Sequence, residues 1–153
     1  MKEVSGMNFD YNTLKPAAQM TDKDFAELER RCDEIREENK ELLELFREDL
    51  DGLSDKVIAR HLGHVDDFIN HYLLREVPRT IACGDEVIGL YLGDYCIRAG
   101  IADTPDTLRE TAVSLKKFYK SMERHGKVSG EDAEKICAII KEGLPEWQEK
   151  CRE

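Results

Sequence analysis

The sequence lacks the patterns that mark membrane and secreted proteins. Its longest uncharged, mostly apolar run is Val87–Gly93, far shorter than the roughly 20 residues that span a bilayer. The opening Met1–Pro16 is polar and contains no apolar stretch of the kind found in signal peptides. The five cysteines are scattered and form no C-x-x-C pair, which is typical of unpaired thiols in a reducing compartment. We therefore expect a cytoplasmic protein that makes no contact with a membrane.

Patterns of enzyme and cofactor chemistry are also missing. The chain has no Gly-rich phosphate loop, no G-x-S-x-G turn and no H-E-x-x-H motif. It also has no E-x-x-H pair, which a di-metal carboxylate site in a helix bundle needs. We therefore expect a protein that is not an enzyme, has no catalytic residues and holds no metal or cofactor.

One predicted helix carries a cluster that suggests a metal, formed by His61, His64, Asp67 and His71. Along a helix axis, His64 and His71 lie about 10 Å apart, so one metal ion cannot bind both. We interpret the four side chains as solvated or as lying beside the core, and a bound ligand stays the alternative.

Basic residues are too few for a general nucleic-acid-binding protein. Asp and Glu number 33 against 23 Lys and Arg, a formal net charge of −10, and the average field of such a chain repels phosphate.

The 153 residues suit one domain. Apolar residues make up 41% of the chain, too many for general disorder.

Hydrophobic spacing predicts helices throughout and no strand. We expect an all-α protein, a compact bundle of five helices with a short C-terminal helix, in a single helical domain over residues 21–153. A loosely ordered arm is predicted at residues 1–20. The five helices are predicted at about 21–51, 55–76, 85–99, 105–125 and 130–142. Their N-caps are Thr21 or Asp22, Ser54, Asp85, Thr104 and Ser129.

Glycine and proline predict where helices end and where they approach each other. Gly143 and Pro145 are predicted to break the fifth helix, so that residues 141–153 form a separate C-terminal cap that Trp147 seals. Gly89 and Gly93 share one face of the third helix and are predicted to let a neighbouring helix approach closely.

The first helix carries an apolar stripe with alternating spacings of three and four residues. The stripe consists of Phe25, Leu28, Cys32, Ile35, Asn39, Leu42 and Phe46. It is typical of a two-stranded coiled coil in which a buried Asn sets the register, and equally of the core face of a bundle helix. Three heptads drift by only about 60° between the two periods, so spacing does not separate the two interpretations. We favour the core face.

The fourth helix has a basic stripe opposite its core stripe of Leu108, Ala112, Leu115, Tyr119 and Met122. On a helical wheel five basic side chains fall within about 100°, and Lys127 extends them past the helix. The five are Arg109, Lys116, Lys117, Lys120 and Arg124. Such a stripe favours contact with a phosphate backbone or an acidic partner. The alternatives are an ordinary Lys-rich surface and ion pairs with the acidic first helix.

Two segments resemble one protein family. Residues 53–68, which read LSDKVIARHLGHVDDF, look like the first helix of the SAM-like core-binding domain of tyrosine recombinases (phage integrases). Thr107-Leu108-Arg109, then Leu115 to Tyr119, then Gly126-Lys127-Val128 resemble its last helix pair. The resemblance covers about residues 53–140 and implies a SAM-like core.

The resemblance implies a function in DNA binding. In that family the domain clamps one side of duplex DNA, and by position this implicates Thr107, Arg109, Lys116 and Lys117. Lys120 and Arg124 join them from the helical wheel alone. The family's catalytic Arg, His and Tyr constellation does not occur in the chain, so recombinase activity is not expected.

Two functions follow from the sequence. The first is a non-catalytic helical interaction module that binds a protein partner, or a second copy of itself through the first helix. The alternative is a small accessory protein that binds double-stranded DNA through the basic stripe of residues 105–125. Net charge favours the first, whereas the stripe and the resemblance favour the second.

Overall fold

The computed structural model describes residues 15–152. Within them the chain forms five helices of seven or more residues and no strand, which confirms the all-α prediction. In chain order the six helices, of which α4 has only three residues, are α1 (Asp22–Asp49), α2 (Asp55–Asp66), α3 (Gly84–Leu90), α4 (Cys96–Arg98), α5 (Pro105–Arg124) and α6 (Gly130–Lys150). Short 3-10 turns lie at Ala17–Gln19 and Ile81–Cys83. Residues 1–14 of the predicted arm lie outside the described residues.

The predicted caps start four of the helices, whereas the predicted Asp85 cap is wrong, because α3 begins at Gly84 and Asp85 lies inside its first turn. Thr21 accepts a hydrogen bond from the Asp24 backbone N–H, and the Asp24 side chain accepts one from the Thr21 backbone N–H. Thr104 and Thr107 form the same pair of reciprocal bonds, a capping box. Ser54 and Ser129 cap α2 and α6 through the backbone N–H three residues further on. Each cap satisfies an N–H that the first helical turn leaves unpaired.

Helix α5 lies at the centre of the protein and contacts α1, α2 and α6. All five residues of its predicted core stripe are fully buried. Smaller polar residues beside the stripe, Thr111, Ser114 and Ser121, are buried as well. Helix α5 therefore exposes only one narrow face. No helix within residues 15–152 has the length and apolar character needed to cross a bilayer.

Helix α6 differs from its prediction, because it continues through Gly143 and Pro145 to Lys150. Pro145 has no N–H to donate to the carbonyl of Lys141, a loss of about 3 kcal/mol. The predicted break is nevertheless wrong, and residues 141–150 belong to α6 rather than to a separate cap.

Burial of Trp147 outweighs the loss at the proline. The continued helix places the indole against Gly89 and Gly93, where it is 9% exposed. Burying an indole of roughly 200 Å² stabilises the fold by about 5 kcal/mol at 25 cal/mol/Å². The prediction that the two glycines admit a neighbouring helix is confirmed.

Two π turns interrupt the predicted second and third helices. One, Asp67–Tyr72, follows α2, and the other, Tyr91–Tyr95, separates α3 from α4. The two turns face each other: the Tyr91 hydroxyl donates to Asp67 at 2.6 Å, and the Tyr72 and Tyr91 rings are 4.8 Å apart. The helical segment that begins with α2 ends with the first π turn at Tyr72, before the predicted residue 76.

A side chain from another helix satisfies a backbone carbonyl in each π turn. Asn39 of α1 donates to the Ile69 carbonyl at 3.2 Å, and Lys150 of α6 donates to the Gly93 carbonyl. A buried carbonyl without a donor would cost about 1–3 kcal/mol. The turns are therefore supported by tertiary contacts.

Candidate functional site

A strip of basic side chains runs along the exposed face of α5, with the carboxylates of Glu110 and Glu123 at its edges. It extends from Arg109 to Arg124 over about 22 Å. Its members are Arg109, Val113, Lys116, Lys117, Lys120 and Arg124, each at least partly exposed. We call these six residues the basic strip. The five basic side chains share one exposed face, as helical spacing predicts.

Acidic residues of α1 neutralise the C-terminal end of the strip. Arg124 donates to Asp49 at 3.1 Å, and Lys127 lies 3.3 Å from Glu41. Asp49 also accepts a hydrogen bond from Ser121, which, with Arg124 beside it, holds the pKa of the Asp49 carboxyl below its usual value. At this end of the strip, therefore, basic side chains form ion pairs with the acidic first helix, which is one of the alternatives for the stripe.

The rest of the strip has no such partner. Among residues 15–152, no carboxylate lies within 4.0 Å of the basic groups of Arg109, Lys116, Lys117 or Lys120. The basic side chains in the middle of α1 differ: Arg30, Arg31, Arg36 and Lys40 each pair with a carboxylate one turn away. A positive surface is therefore left open on a chain whose net charge is −10.

A groove between α2 and α5 extends this positive surface. Its volume is about 250 Å³, and it is lined by Arg60, His61, Arg109, Glu110, Val113 and Lys117. The volume is below the range of about 300–1,000 Å³ for drug-sized ligands, so the groove suits a small anionic group. Sequence reasoning missed Arg60, because no pattern within α2 or α5 shows how the two helices lie against each other.

Ser114 joins two of the predicted cluster's histidines at the base of this region. Its Oγ lies 2.7 Å from His61 Nδ1 and 2.8 Å from His64 Nδ1. The sequence indicates that Ser114 is buried, because Thr111, Ser114 and Ser121 lie at helical spacing beside the apolar stripe of α5. That signal shows burial but not the partner, which is 53 residues away for His61.

The four residues of the predicted cluster do not meet at one point. Asp67 accepts the hydrogen bond from Tyr91, and His71 lies 3.7 Å from Asp66. Within residues 15–152 no group of three His, Cys, Asp or Glu side chains could hold a metal ion. His61 is 6% exposed and lies beside the core, as interpreted from the sequence.

Thr107 lies near the N-terminal end of the basic strip, but its hydroxyl serves the helix cap. It accepts the Thr104 backbone N–H at 3.1 Å and lies 2.8 Å from the Thr104 hydroxyl. A contact between Thr107 and a phosphate would compete with these bonds.

The apolar stripe of α1 divides into two halves. In the second half, Asn39 is 2% exposed and donates to the Ile69 carbonyl and, at 2.8 Å, to Asn70. This half is the core face of a bundle helix, the interpretation we favoured. In the first half, Phe25 is 48% exposed, and Leu28 and Cys32 are partly exposed.

No disulfide forms within residues 15–152, which include all five cysteines. Burial raises the pKa of the Cys96 thiol to about 12 and also raises the pKa of Cys32 and Cys137. Thiols with raised pKa values are poor nucleophiles at neutral pH.

Comparison of the chain with protein-family models, curated proteins and solved structures gives no match. The resemblance to the recombinase core-binding domain therefore stays a prediction that rests on the residues quoted for it.

Proposed function

We propose that this protein is a small accessory protein that binds the phosphate backbone of double-stranded DNA through the basic strip and Arg60. The observation that carries the proposal is the run of basic side chains from Arg109 to Lys120, none of which has a carboxylate within 4.0 Å among residues 15–152. Phosphate contacts by Lys and Arg supply most of the sequence-independent affinity for DNA. The resemblance to a DNA-clamping domain supports the same surface.

Salt at physiological concentration weakens the repulsion between the net negative charge of the chain and DNA. Exposed charges more than about 8 Å apart are largely screened at this concentration. Two carboxylates of α1, those of Asp49 and Glu41, pair with Arg124 and Lys127. A phosphate near Arg109 or Lys117 would meet these two cations together with the carboxylate of Glu110, which lines the same groove.

Fluorescence anisotropy with a duplex of about 20 base pairs, two turns of B-DNA, tests the proposal. If the four basic residues of the strip that lack a carboxylate partner among residues 15–152 each contact one phosphate, the affinity for the duplex should fall about a hundredfold between about 50 and 200 mM salt. These residues are Arg109, Lys116, Lys117 and Lys120. The triple variant Lys116→Glu/Lys117→Glu/Lys120→Glu should lose binding and flatten the salt dependence.

A matched control separates the strip from net charge. Lys23→Glu/Arg36→Glu/Lys40→Glu makes the same change in charge on exposed positions of α1 and should bind nearly as the unmodified chain does. Equal loss in both variants, or no duplex binding at low salt, would remove the strip as a DNA interface.

Self-association through the first helix is a second candidate, favoured by the exposure of Phe25. Because Ile35, Asn39, Leu42 and Phe46 are buried within the chain, a second copy would contact only the first half of α1. A cytoplasmic location stays a prediction from the cysteines.

A further inference from the structure

The groove between α2 and α5 contains a titratable ring, that of His61, among the basic side chains of the proposed interface. His61 and His64 contact the same hydroxyl of Ser114 through Nδ1, but only His61 lines the groove. The two histidines therefore have the same buried anchor and different access to a ligand.

The contact with Ser114 leaves Nε2 of His61 as the free donor of the protonated ring. Both nitrogens of a protonated imidazole carry a hydrogen. Nδ1–H of His61 then donates to the Ser114 hydroxyl, 2.7 Å away, and Ser114 can donate its own hydrogen to the Glu110 carbonyl at 3.2 Å. Nε2–H is left for a ligand of the groove.

Nε2 is the ring nitrogen of His61 that remains without a partner among the described residues, and His61 lines the groove. Nε2 makes no hydrogen bond with residues 15–152, and it does not belong to the buried polar atoms that lack a partner. An imidazole held in this way can donate Nε2–H to an anion once it is protonated.

Charged groups from both helices face His61. Arg60 and His64 lie on α2, and Arg109, Lys117 and the carboxylate of Glu110 come from α5. Burial, and then the charges of Lys117 and Arg60, lower the pKa of His61. An anion between these cations would cancel part of their field and thereby favour the protonated ring.

We propose that the α2–α5 groove is a proton-coupled phosphate site, in which a phosphate group held by Arg60, Arg109 and Lys117 accepts a hydrogen bond from protonated Nε2 of His61. The proposal deepens the proposed function, since a backbone phosphate of duplex DNA is one source of the group and free phosphate is the other. Binding takes up a proton, so affinity is highest at low pH and falls as the pH rises through the pKa of the bound state.

Histidine NMR titrations between about pH 5 and pH 8 test the site. The His61 pKa is measured in sodium chloride, in inorganic phosphate at matched ionic strength, and with the DNA duplex. We expect phosphate to raise the pKa of His61, and to raise it more than that of His64. The resonances of His71, which lies outside the groove, serve as the internal reference.

Duplex anisotropy at several pH values supplies the second readout. For each whole unit by which DNA raises the His61 pKa, the duplex should bind about tenfold more tightly at low pH than at high pH. His61→Asn retains an amide N–H for Ser114 but has no Nε2, so it should abolish this pH dependence. The matched control His64→Asn should preserve it, and Glu110→Gln should strengthen phosphate binding.

The outcomes separate this proposal from the proposed function. If phosphate raises the His61 pKa but no duplex binds, the phosphate site stands with free phosphate as its source and the DNA-binding function fails. If the duplex binds equally well across the pH range while the His61 pKa is unchanged in phosphate and in DNA, the DNA-binding function stands and the proton-coupled site is overturned. An unchanged His61 pKa without duplex binding refutes both.

Discussion

Gly93 and Gly89 offer a matched test of how α6 packs, since both lie against the same indole at different distances. A β-carbon on Gly93 would lie 2.5 Å from Trp147 Nε1 and 2.6 Å from Cδ1, whereas one on Gly89 would meet its nearest atom at 3.7 Å. The first is a clash and the second an ordinary van der Waals contact. The ring cannot withdraw along its own helix, because Gly143 lies against its other atoms.

The two Gly→Ala substitutions should therefore have opposite effects. Each Ala gains about 0.5–1 kcal/mol from helix propensity. Overpacking costs up to about 3 kcal/mol, so Gly93→Ala should lower the free energy of unfolding by about 2 kcal/mol. Gly89→Ala should raise it by up to about 1 kcal/mol. A difference of about 3 kcal/mol corresponds to roughly 6–12 °C in Tm.

Fluorescence of Trp147, the single Trp of the chain, reports unfolding at the site itself. Urea unfolding of both variants gives their stabilities, and the emission maximum of folded Gly93→Ala should shift as the indole is displaced. If Gly93→Ala were as stable as Gly89→Ala, the close packing of α6 and its continuation through Pro145 would be refuted.

Two further predictions concern the first helix and pH. If the first half of α1 mediates self-association, Phe25→Ser should abolish a concentration-dependent dimer in sedimentation. The control variant Asn39→Ala should leave the oligomeric state unchanged. It should lower the free energy of unfolding by about 1–3 kcal/mol, because the Ile69 carbonyl loses the hydrogen bond from Asn39. A change in stoichiometry would contradict the role of Asn39 within the chain. Burial lowers the pKa of His61 and His64, so the folded chain favours neutral rings. The stability this contributes is complete above about pH 6.5 and is lost as the pH falls through the lowered folded values; urea midpoints that do not decline from pH 7 to pH 5 would contradict this.

The sequence could predict only the part of the candidate site that lies on a single helix, α5. The spacing from Arg109 to Arg124 places five basic residues on one face, and the structure has them there. The loss of Arg124 to Asp49, 75 residues away, and the addition of Arg60 from α2 could not be predicted, because each depends on how two helices pack.

The sequence by itself determined the all-α class, the capped helix starts and the buried stripe of α5. These features depend on interactions within about four residues, which the 3.6-residue period and the capping side chains encode locally. Only the tertiary structure decided that α6 continues through Pro145, that Asn39 bonds to Ile69 within the chain, and that Ser114 joins two histidines. The physical reason is that each of these depends on partners 30 or more residues apart or on burial of a side chain against another helix, for which no local rule exists.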